Sequence, residues 1–365
     1  MIDKILFVFI GAKILKSATF NPGGQLTASI ALQDYASHAG YDMEVIDTTQ
    51  MSFPVPPFFT RLRKGVSRVL HLIRLLHTKK VDGLIIFSAN GYSFYERIMM
   101  AGIARIYGVK SLFFMRSGLF KKEMHNAVKR IIVKLLLKMP HTIAIQGESW
   151  RDFFLHLGVN QERIALIRNW LPSHVECAKQ PKKLNVGERM RFCFAGWLVE
   201  EKGVNELFEA IRTLSKQYDF EFFFVGGGVL QEELSHKIAQ SGLSDRITLT
   251  GWVDTNAVIN YLQTSHVFVL PSKAEGFPNA LLEAFACGLP AICTNVGAIA
   301  DSLYNEKNGY LLQRCDPKLI AQAMQSYLVH SEKVFLHSIE ALKVIQLQHD
   351  RDINCKLVFD QFLSC

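Results

Sequence analysis

Two glutamates stand on either side of a Gly-Phe-Pro-Asn turn in the stretch EGFPNALLE, which runs from Glu275 to Glu283. A carboxylate accepts hydrogen bonds from vicinal hydroxyls, so each glutamate could hold a sugar or a ribose. Taken alone, either could equally be a surface or a helix-stabilising residue. The start of a helix attracts phosphate, because it offers backbone N–H groups and a partial positive charge. The combination therefore predicts a ligand with a sugar at both ends and phosphate between them.

The elements around this turn are arranged to present it. HVFVLPS predicts a strand, KAEGFPN the turn at its carboxyl end, and PNALLEAFACG a helix with Pro278 in its first turn. Gly276 lets the backbone approach a ligand closely. Ligands of open parallel sheets bind at the carboxyl ends of the strands, which is where this turn lies.

Strand-like apolar runs alternate with helix-like amphipathic runs along the chain. The strand candidates before residue 170 are KILFVFI, YDMEVID, VDGLIIFSA, KSLFFMRSG, HTIAIQGE and RIALIRN. Those in the second half are MRFCFAGW, FEFFFVGGG, RITLTGWV, HVFVLPS and LPAICTN, after which the sequence predicts mainly helix. Parallel strands covered on both faces give the doubly wound α/β arrangement.

The polar stretch NWLPSHVECAKQPKKLNVGERM interrupts this alternation and predicts a linker. We therefore expect an N-terminal domain over residues 1–170, a linker over 171–190 and a C-terminal domain over 191–345. A helix over 346–365 is expected to pack back toward the N-terminal domain. Two such sheets would place a site in the cleft between the domains.

Composition narrows the class of protein. A formal charge of +8 favours anionic partners such as nucleotides, nucleic acid or an acidic membrane surface. Seven cysteines without a C-x-x-C pair indicate neither a disulfide framework nor a zinc site, which is typical of a reducing cytosol. The run ILFVFIGA follows Asp3 and reads as a first buried strand, not as a signal peptide. No stretch approaches the roughly 20 apolar residues of a membrane span.

The segment PSKAEGFPNALLEAFACGLPAICTNVG, which contains both glutamates, resembles the E-x7-E region of glycosyltransferase family 4, retaining enzymes of group 1. FAGWLVEEKGVNELFEAI resembles the diphosphate-binding segment of that family. NPGGQLTASIAL resembles its N-terminal glycine loop, IRNWLP the end of its first domain and NGYLL a recurrent later turn. The likeness spans most of the chain and is looser in the first domain. It implies the GT-B fold, two doubly wound Rossmann-like domains facing each other across a cleft.

The resemblance also implies a role for each matching residue. Glu275 would contact the donor sugar, Glu283 the ribose, and Lys202 would neutralise the departing diphosphate, on which negative charge builds. Phe277 and Asn279 would offer backbone N–H groups. The other expected nucleotide-sugar contacts are Gly23 and Gly24 in the glycine loop, Trp197, Gly226, Val253 beside the nucleobase, Gly276 and Pro278.

Three positions depart from the family pattern. Trp197 stands where an arginine is common, so one expected cation is missing, and Trp197 could equally be a core aromatic. Arg116, in MRSG, stands where many members carry histidine, and we expect it to assist Lys202 as a second cation. Asp301, in GAIAD, replaces a glutamate.

No metal and no cofactor are expected. The single D-x-D match, Asp350 and Asp352 in HDRD, lies in a polar tail that the sequence predicts to be helical. Lys202 and helix N-termini are therefore expected to supply the positive charge. Two basic amphipathic stretches, RLRKGVSRVLHLIRLLHTKK and VKRIIVKLLLKMP, could lie on an anionic bilayer or be packed helices with a solvated basic face. No nucleic-acid-binding motif is present in the sequence.

The resemblance thus implies a retaining hexosyltransferase that moves a sugar from a nucleotide-sugar, such as a UDP-sugar, to a growing surface polysaccharide or a lipid-linked glycan. It is expected in the cytoplasm, with the inner face of the cell membrane as a peripheral location. Two alternatives stay open: a nucleotide-sugar epimerase of the same fold, and a non-catalytic nucleotide-sugar-binding homologue. A dehydrogenase is disfavoured, because no dinucleotide fingerprint with a downstream ribose-binding acid is present.

Overall fold

The computed structural model describes residues 5–13, 24–49 and 57–363. These residues form two compact units. The first is made of residues 5–13, 24–49, 57–173 and 351–363, and the second of residues 174–350. Each unit is built on one parallel sheet, with strands and helices alternating along the chain.

The sheet of the first unit has the strand order β2-β1-β3-β4-β5-β6 within the described residues, with every pair parallel. All residues of β3 and β4 are buried, which shows that both faces of the sheet are covered. The strands are β1 (Leu6–Gly11), β2 (Asp42–Asp47), β3 (Gly83–Ser88), β4 (Ser111–Met115), β5 (Thr142–Ile145) and β6 (Ile164–Leu166).

The helices of the first unit include the last one of the chain. They are α1 (Gly24–His38), α2 (Phe58–Thr78), α3 (Tyr92–Ile106), α4 (Leu119–Glu123), α5 (Ala127–Leu136), α6 (Arg151–His156) and α13 (Arg351–Leu363). Helix α13 contributes Val358 and Phe359 to the core that contains Phe7 of β1. The rings of Phe7 and Phe359 meet edge to face, with centroids 5.0 Å apart.

The sheet of the second unit has the order β12-β11-β10-β7-β8-β9 and is also parallel. Its strands are β7 (Met190–Ala195), β8 (Phe220–Val225), β9 (Ile247–Leu249), β10 (Val267–Leu270), β11 (Ala291–Thr294) and β12 (Gly309–Leu312). Its helices are α7 (Val204–Leu214), α8 (Gln231–Gln240), α9 (Thr255–Thr264), α10 (Asn279–Ala286), α11 (Pro317–Val329) and α12 (Glu332–Gln348).

The prediction of two doubly wound α/β sheets is confirmed, and each strand predicted from the sequence is present. The expectation of mainly helix after LPAICTN is confirmed by α11, α12 and α13, but NGYLL, expected as a turn, includes the edge strand β12. NGYLL begins with an Asn-Gly pair, which is typical of a turn, so the sequence did not predict a strand here. Gly309 fits there because a Cβ at this position would lie 1.9 Å from Ala291 O of the neighbouring strand.

Candidate functional site

Glu275 lies in the loop between β10 and α10, and its carboxylate is tied down on one side. Ser272 Oγ, which is fully buried, donates a hydrogen bond of 2.7 Å to Glu275 Oε1. Thr294 at the end of β11 in turn donates to the carbonyl oxygen of Ser272. The side chain of Glu275 is only 10% exposed, so its orientation is set by these neighbours and not by solvent.

Lys202 is the direct partner of Glu275. Its Nζ lies 2.5 Å from Glu275 Oε1, although 73 positions separate the two residues in sequence. Lys202 ends a 3₁₀ turn, Glu200–Lys202, which follows β7 and precedes α7. Gly203 closes this turn with φ 70°, and a Cβ there would lie 2.4 Å from Pro271 O. The glycine therefore allows the turn to lie directly against the loop that carries Glu275.

Lys273 fastens the same two segments together. Its backbone N–H donates to Glu201 O at 2.7 Å, and its Nζ contacts Glu200 and lies 2.7 Å from Glu206 Oε1. Burial by itself would lower the pKa of Lys273, but the hydrogen bonds to Glu200 and Glu206 outweigh it, and the pKa is raised. Lys273 therefore stays charged and holds the 3₁₀ turn in place. It was not among the residues predicted from the sequence.

Glu283 is the fifth residue of α10 and is half-buried. No described residue donates a hydrogen bond to its carboxylate, and burial raises the pKa of this carboxyl to about 7. A desolvated carboxylate without a donor is unfavourable unless a ligand supplies hydroxyl groups. This is the property expected of a group that holds a ribose.

The turn between the two glutamates is buried and begins a helix. Gly276, Phe277, Pro278 and Asn279 are all buried, and Gly276 O accepts a hydrogen bond of 2.9 Å from the backbone N–H of Ala298. Pro278 was expected in the first turn of α10, but it lies one position earlier. It is the N-cap, with ψ 122°, and the helix starts at Asn279. The extended ψ of Pro278 explains this, since the helical conformation begins only after it.

Trp197, Gly226 and Val253 follow the carboxyl ends of β7, β8 and β9. Trp197 packs edge to face on Trp252, with ring centroids 5.0 Å apart. Gly226 pairs with the glycine before Trp252, and a Cβ on Gly226 would lie 2.1 Å from Gly196 O. Trp252 is 47% exposed, so the pair presents an aromatic surface at this edge. Sequence reasoning missed Trp252, although it directly precedes Val253 in TGWVD.

The remaining predicted residues belong to the first unit. Arg116 follows β4, and Gly24 is the first residue of α1. Gly23 lies outside the described residues. Within the second unit, the structure thus brings Lys202 and Glu275 into contact.

The described part of the chain contains no group of three or more His, Cys, Asp or Glu side chains that could hold a metal ion. None of its helices is both long enough and apolar enough to cross a bilayer.

Residues 177–357 match the model of a protein family described as glycosyl transferases group 1. The second unit is a group 1 glycosyltransferase domain. Glu275, Glu283, Lys202 and Trp197 all lie within the matched segment. The prediction of a group 1 glycosyltransferase is therefore confirmed, and the finer assignment to family 4 stays a prediction.

Curated relatives extend this similarity. The chain is 26% identical over 244 residues to an N,N'-diacetylbacillosaminyl-diphospho-undecaprenol alpha-1,3-N-acetylgalactosaminyltransferase of Campylobacter jejuni, covering 64% of this chain and 63% of that one. It is 27% identical over 299 residues to a UDP-Gal:alpha-D-GlcNAc-diphosphoundecaprenol alpha-1,3-galactosyltransferase of Escherichia coli, covering 75% and 73%. For four curated relatives the chain spans less than two thirds of their own length, between 41% and 63%.

Solved structures show the fold of the whole chain. Sucrose-phosphate synthase from Thermosynechococcus elongatus superposes with a TM-score of 0.79 at 16% identity, covering 99% of this chain and 98% of that one. Anabaena HepE in complex with UDP-glucose gives a TM-score of 0.73 at 14% identity, covering 99% and 100%. Each unit has the doubly wound sheet of a GT-B enzyme, so the predicted GT-B fold class is confirmed.

Proposed function

We propose that this protein is a retaining glycosyltransferase that uses a UDP-sugar as donor and a surface polysaccharide or lipid-linked glycan as acceptor. The observation that carries the proposal is the Lys202–Glu275 pair at the carboxyl edge of the second sheet, on the same segment as the donor-less carboxylate of Glu283. A cation for diphosphate and two carboxylates for hydroxyl groups are the chemistry that a nucleotide-sugar requires. The relatives whose names specify diphospho-undecaprenol substrates support the acceptor class.

In the proposed reaction, the bond between the anomeric carbon and the diphosphate oxygen breaks while the acceptor oxygen bonds to the same face of the sugar. The acceptor's proton passes to the departing diphosphate. Lys202 stabilises the charge that builds on the leaving group, and Glu275 orients the sugar through its hydroxyls. Positive charge from Lys202 and from the start of α10 would serve in place of a metal ion, so we propose a metal-independent enzyme.

We further propose that the first unit rests on the anionic inner face of the cell membrane, with the enzyme in the cytoplasm. Helix α2 exposes Phe58, Phe59, Leu62, Val66 and Leu70, and α5 exposes Val128, Ile131, Ile132 and Leu135. Basic residues lie among them, including Arg63 and Lys64 on α2 and Lys129 and Arg130 on α5. Exposed apolar side chains bordered by cations suit insertion between anionic headgroups, at about 1 kcal/mol per cation near the surface.

The experiment that tests the reaction follows a UDP-sugar by NMR with and without a lipid-linked acceptor, in the presence of EDTA. We expect transfer only with acceptor, an axial product linkage from an axial donor, and no loss of rate with EDTA. Conversion of the donor without acceptor would favour the epimerase. Donor binding with neither reaction would favour the non-catalytic homologue.

A further inference from the structure

Arg116 holds a positive charge that no described acidic residue balances through an ion pair. It follows β4 in the first unit, and its backbone N–H donates to Ser88 O at 2.9 Å. Its guanidinium carbon lies 4.6 Å from the ring centroid of Phe87 and 5.7 Å from that of Trp170. Its Nη1 is shielded from solvent and has no hydrogen-bond partner. The two rings fix the guanidinium plane and leave an unused N–H group at the sheet edge.

Gln146 directly follows β5, as Arg116 directly follows the neighbouring strand β4. Strands β4 and β5 pair in parallel with Phe114 opposite Ala144, and Arg116 and Gln146 each follow two positions later. Side chains two positions apart share a face, and neighbouring strands lie about 4.8 Å apart. Gln146 is 1% exposed and donates through Nε2 to Asn169, but its Oε1 has no hydrogen-bond partner.

Continued by two positions, the register of β4 and β5 places an unused donor and an unused acceptor next to each other on one face of this sheet. Leaving both buried and unpaired costs free energy, which a suitable ligand would recover. A guanidinium prefers a carboxylate or a phosphate, and an amide oxygen accepts from a hydroxyl. Burial lowers the pKa of Arg116 to about 9, so the group is still charged at neutral pH.

We propose that this edge of the first unit binds a saccharide that carries an anionic group, with the carboxylate or phosphate on Arg116 and a ring hydroxyl on Gln146 Oε1. This deepens the proposed function by specifying the chemistry of an acceptor sugar, and it rests on that function only in calling the ligand an acceptor. The residues involved belong to the first unit and are separate from Lys202, Glu275 and Glu283.

The test is calorimetric titration of the full chain, without nucleotide and at fixed ionic strength, with glucuronate, glucose 6-phosphate, glucose and inorganic phosphate. We expect glucuronate or glucose 6-phosphate to bind at least tenfold more tightly than glucose and inorganic phosphate. The tighter of the two identifies carboxylate or phosphate as the anion. Arg116→Met should reduce the affinity for the sugar anion to that for glucose. Gln146→Leu should weaken the binding of the sugar anion but not the binding of inorganic phosphate.

Arg168→Met is the matched control. Arg168 follows β6 and also has a buried Nη1 without a partner, but it comes one position after Ile167, which packs in the core on the Phe114 side. It therefore projects from the opposite face, and its replacement should leave binding unchanged. Equal binding of glucose and the sugar anions, or full retention of binding in Arg116→Met, would overturn the proposal.

A second variant distinguishes loss of binding from loss of the folded state. Gln146→Glu places a carboxylate beside Arg116, so we expect a higher melting temperature and loss of sugar-anion binding. A lower melting temperature with binding retained would contradict the proposal. UDP titrated into the same preparations tests the donor site separately, so failure at Arg116 and failure of the proposed function are distinguishable.

Discussion

Lys202 Nζ lies 2.5 Å from Glu275 Oε1, so the residue expected to hold the diphosphate and the residue expected to hold the donor sugar contact each other directly. Ser272 Oγ donates a hydrogen bond to the same carboxylate oxygen. A diphosphate that engages Lys202 must therefore compete with Glu275 for the ammonium group. The two residues act as one unit, and substitutions at either should alter the behaviour of the other.

Lys202→Ala should weaken UDP binding by about 10- to 150-fold, the value of a charge-assisted contact of about 1.5–3 kcal/mol. Lys216→Ala is the control, because Lys216 is an exposed lysine of the same unit. Titration calorimetry at low and moderate salt measures both variants. An unchanged affinity in Lys202→Ala would show that the diphosphate does not bind at this lysine.

Glu275→Gln should separate binding from turnover. Loss of the carboxylate frees Lys202 from its ion pair, so UDP affinity should rise a few-fold, since the ammonium no longer has an internal competitor. Transfer should fall by about 100-fold or more, because the sugar loses a charged hydrogen-bond acceptor. A weaker UDP affinity in this variant would contradict the competition between diphosphate and Glu275.

Glu283→Gln should make the protein more stable and less able to bind nucleotide. The folded-state pKa of Glu283 is raised to about 7 by burial, above that of an unfolded glutamate at about 4.3. The folded state therefore favours the protonated form, and wild type loses stability as the pH rises from about 4.3 to 7. Melting curves should show a stability gain for the variant that is complete above pH 7 and absent near pH 4. A gain that does not vary with pH would exclude desolvation of the carboxylate as its cause.

Lys273→Met should loosen the 3₁₀ turn that carries Lys202. The substitution keeps the length of the side chain but removes its contacts with Glu200 and Glu206, at a cost of about 1–2 kcal/mol. Hydrogen exchange should accelerate in residues 200–206 while the rest of the second sheet keeps its protection. We expect the rate of transfer to fall more than the melting temperature suggests, because the turn positions Lys202.

Ile131→Ser with Leu135→Ser should reduce binding to anionic vesicles. Both side chains are exposed on α5, at 61% and 60%, among basic residues. Leu347→Ser is the control, since Leu347 is 81% exposed but lies on α12 in the second unit. Co-flotation with vesicles of phosphatidylglycerol and phosphatidylcholine measures the effect. If wild type and the double variant float with the vesicles to the same extent, α5 does not contact the membrane.

The sequence by itself determined the features that local pattern encodes. Alternating apolar and amphipathic runs specify parallel strands with helical crossovers, because each element must bury its own apolar face. The spacing of Glu275 and Glu283 around a strand-to-helix turn is likewise local, so the candidate site could be predicted. The edge strand β12 could not, since it begins at an Asn-Gly pair typical of a turn and forms by pairing with the distant strand β11.

Only the tertiary structure decided how distant side chains combine. Lys202 and Glu275 meet across 73 positions because β7 and β10 are neighbours in the sheet, which local pattern does not reveal. The same holds for Trp197 and Trp252, whose rings pack together, and for the placement of Arg116 and Gln146, which follow the paired strands β4 and β5. Strand order sets which side chains share an edge, and burial then sets which charges and polar atoms remain without a partner.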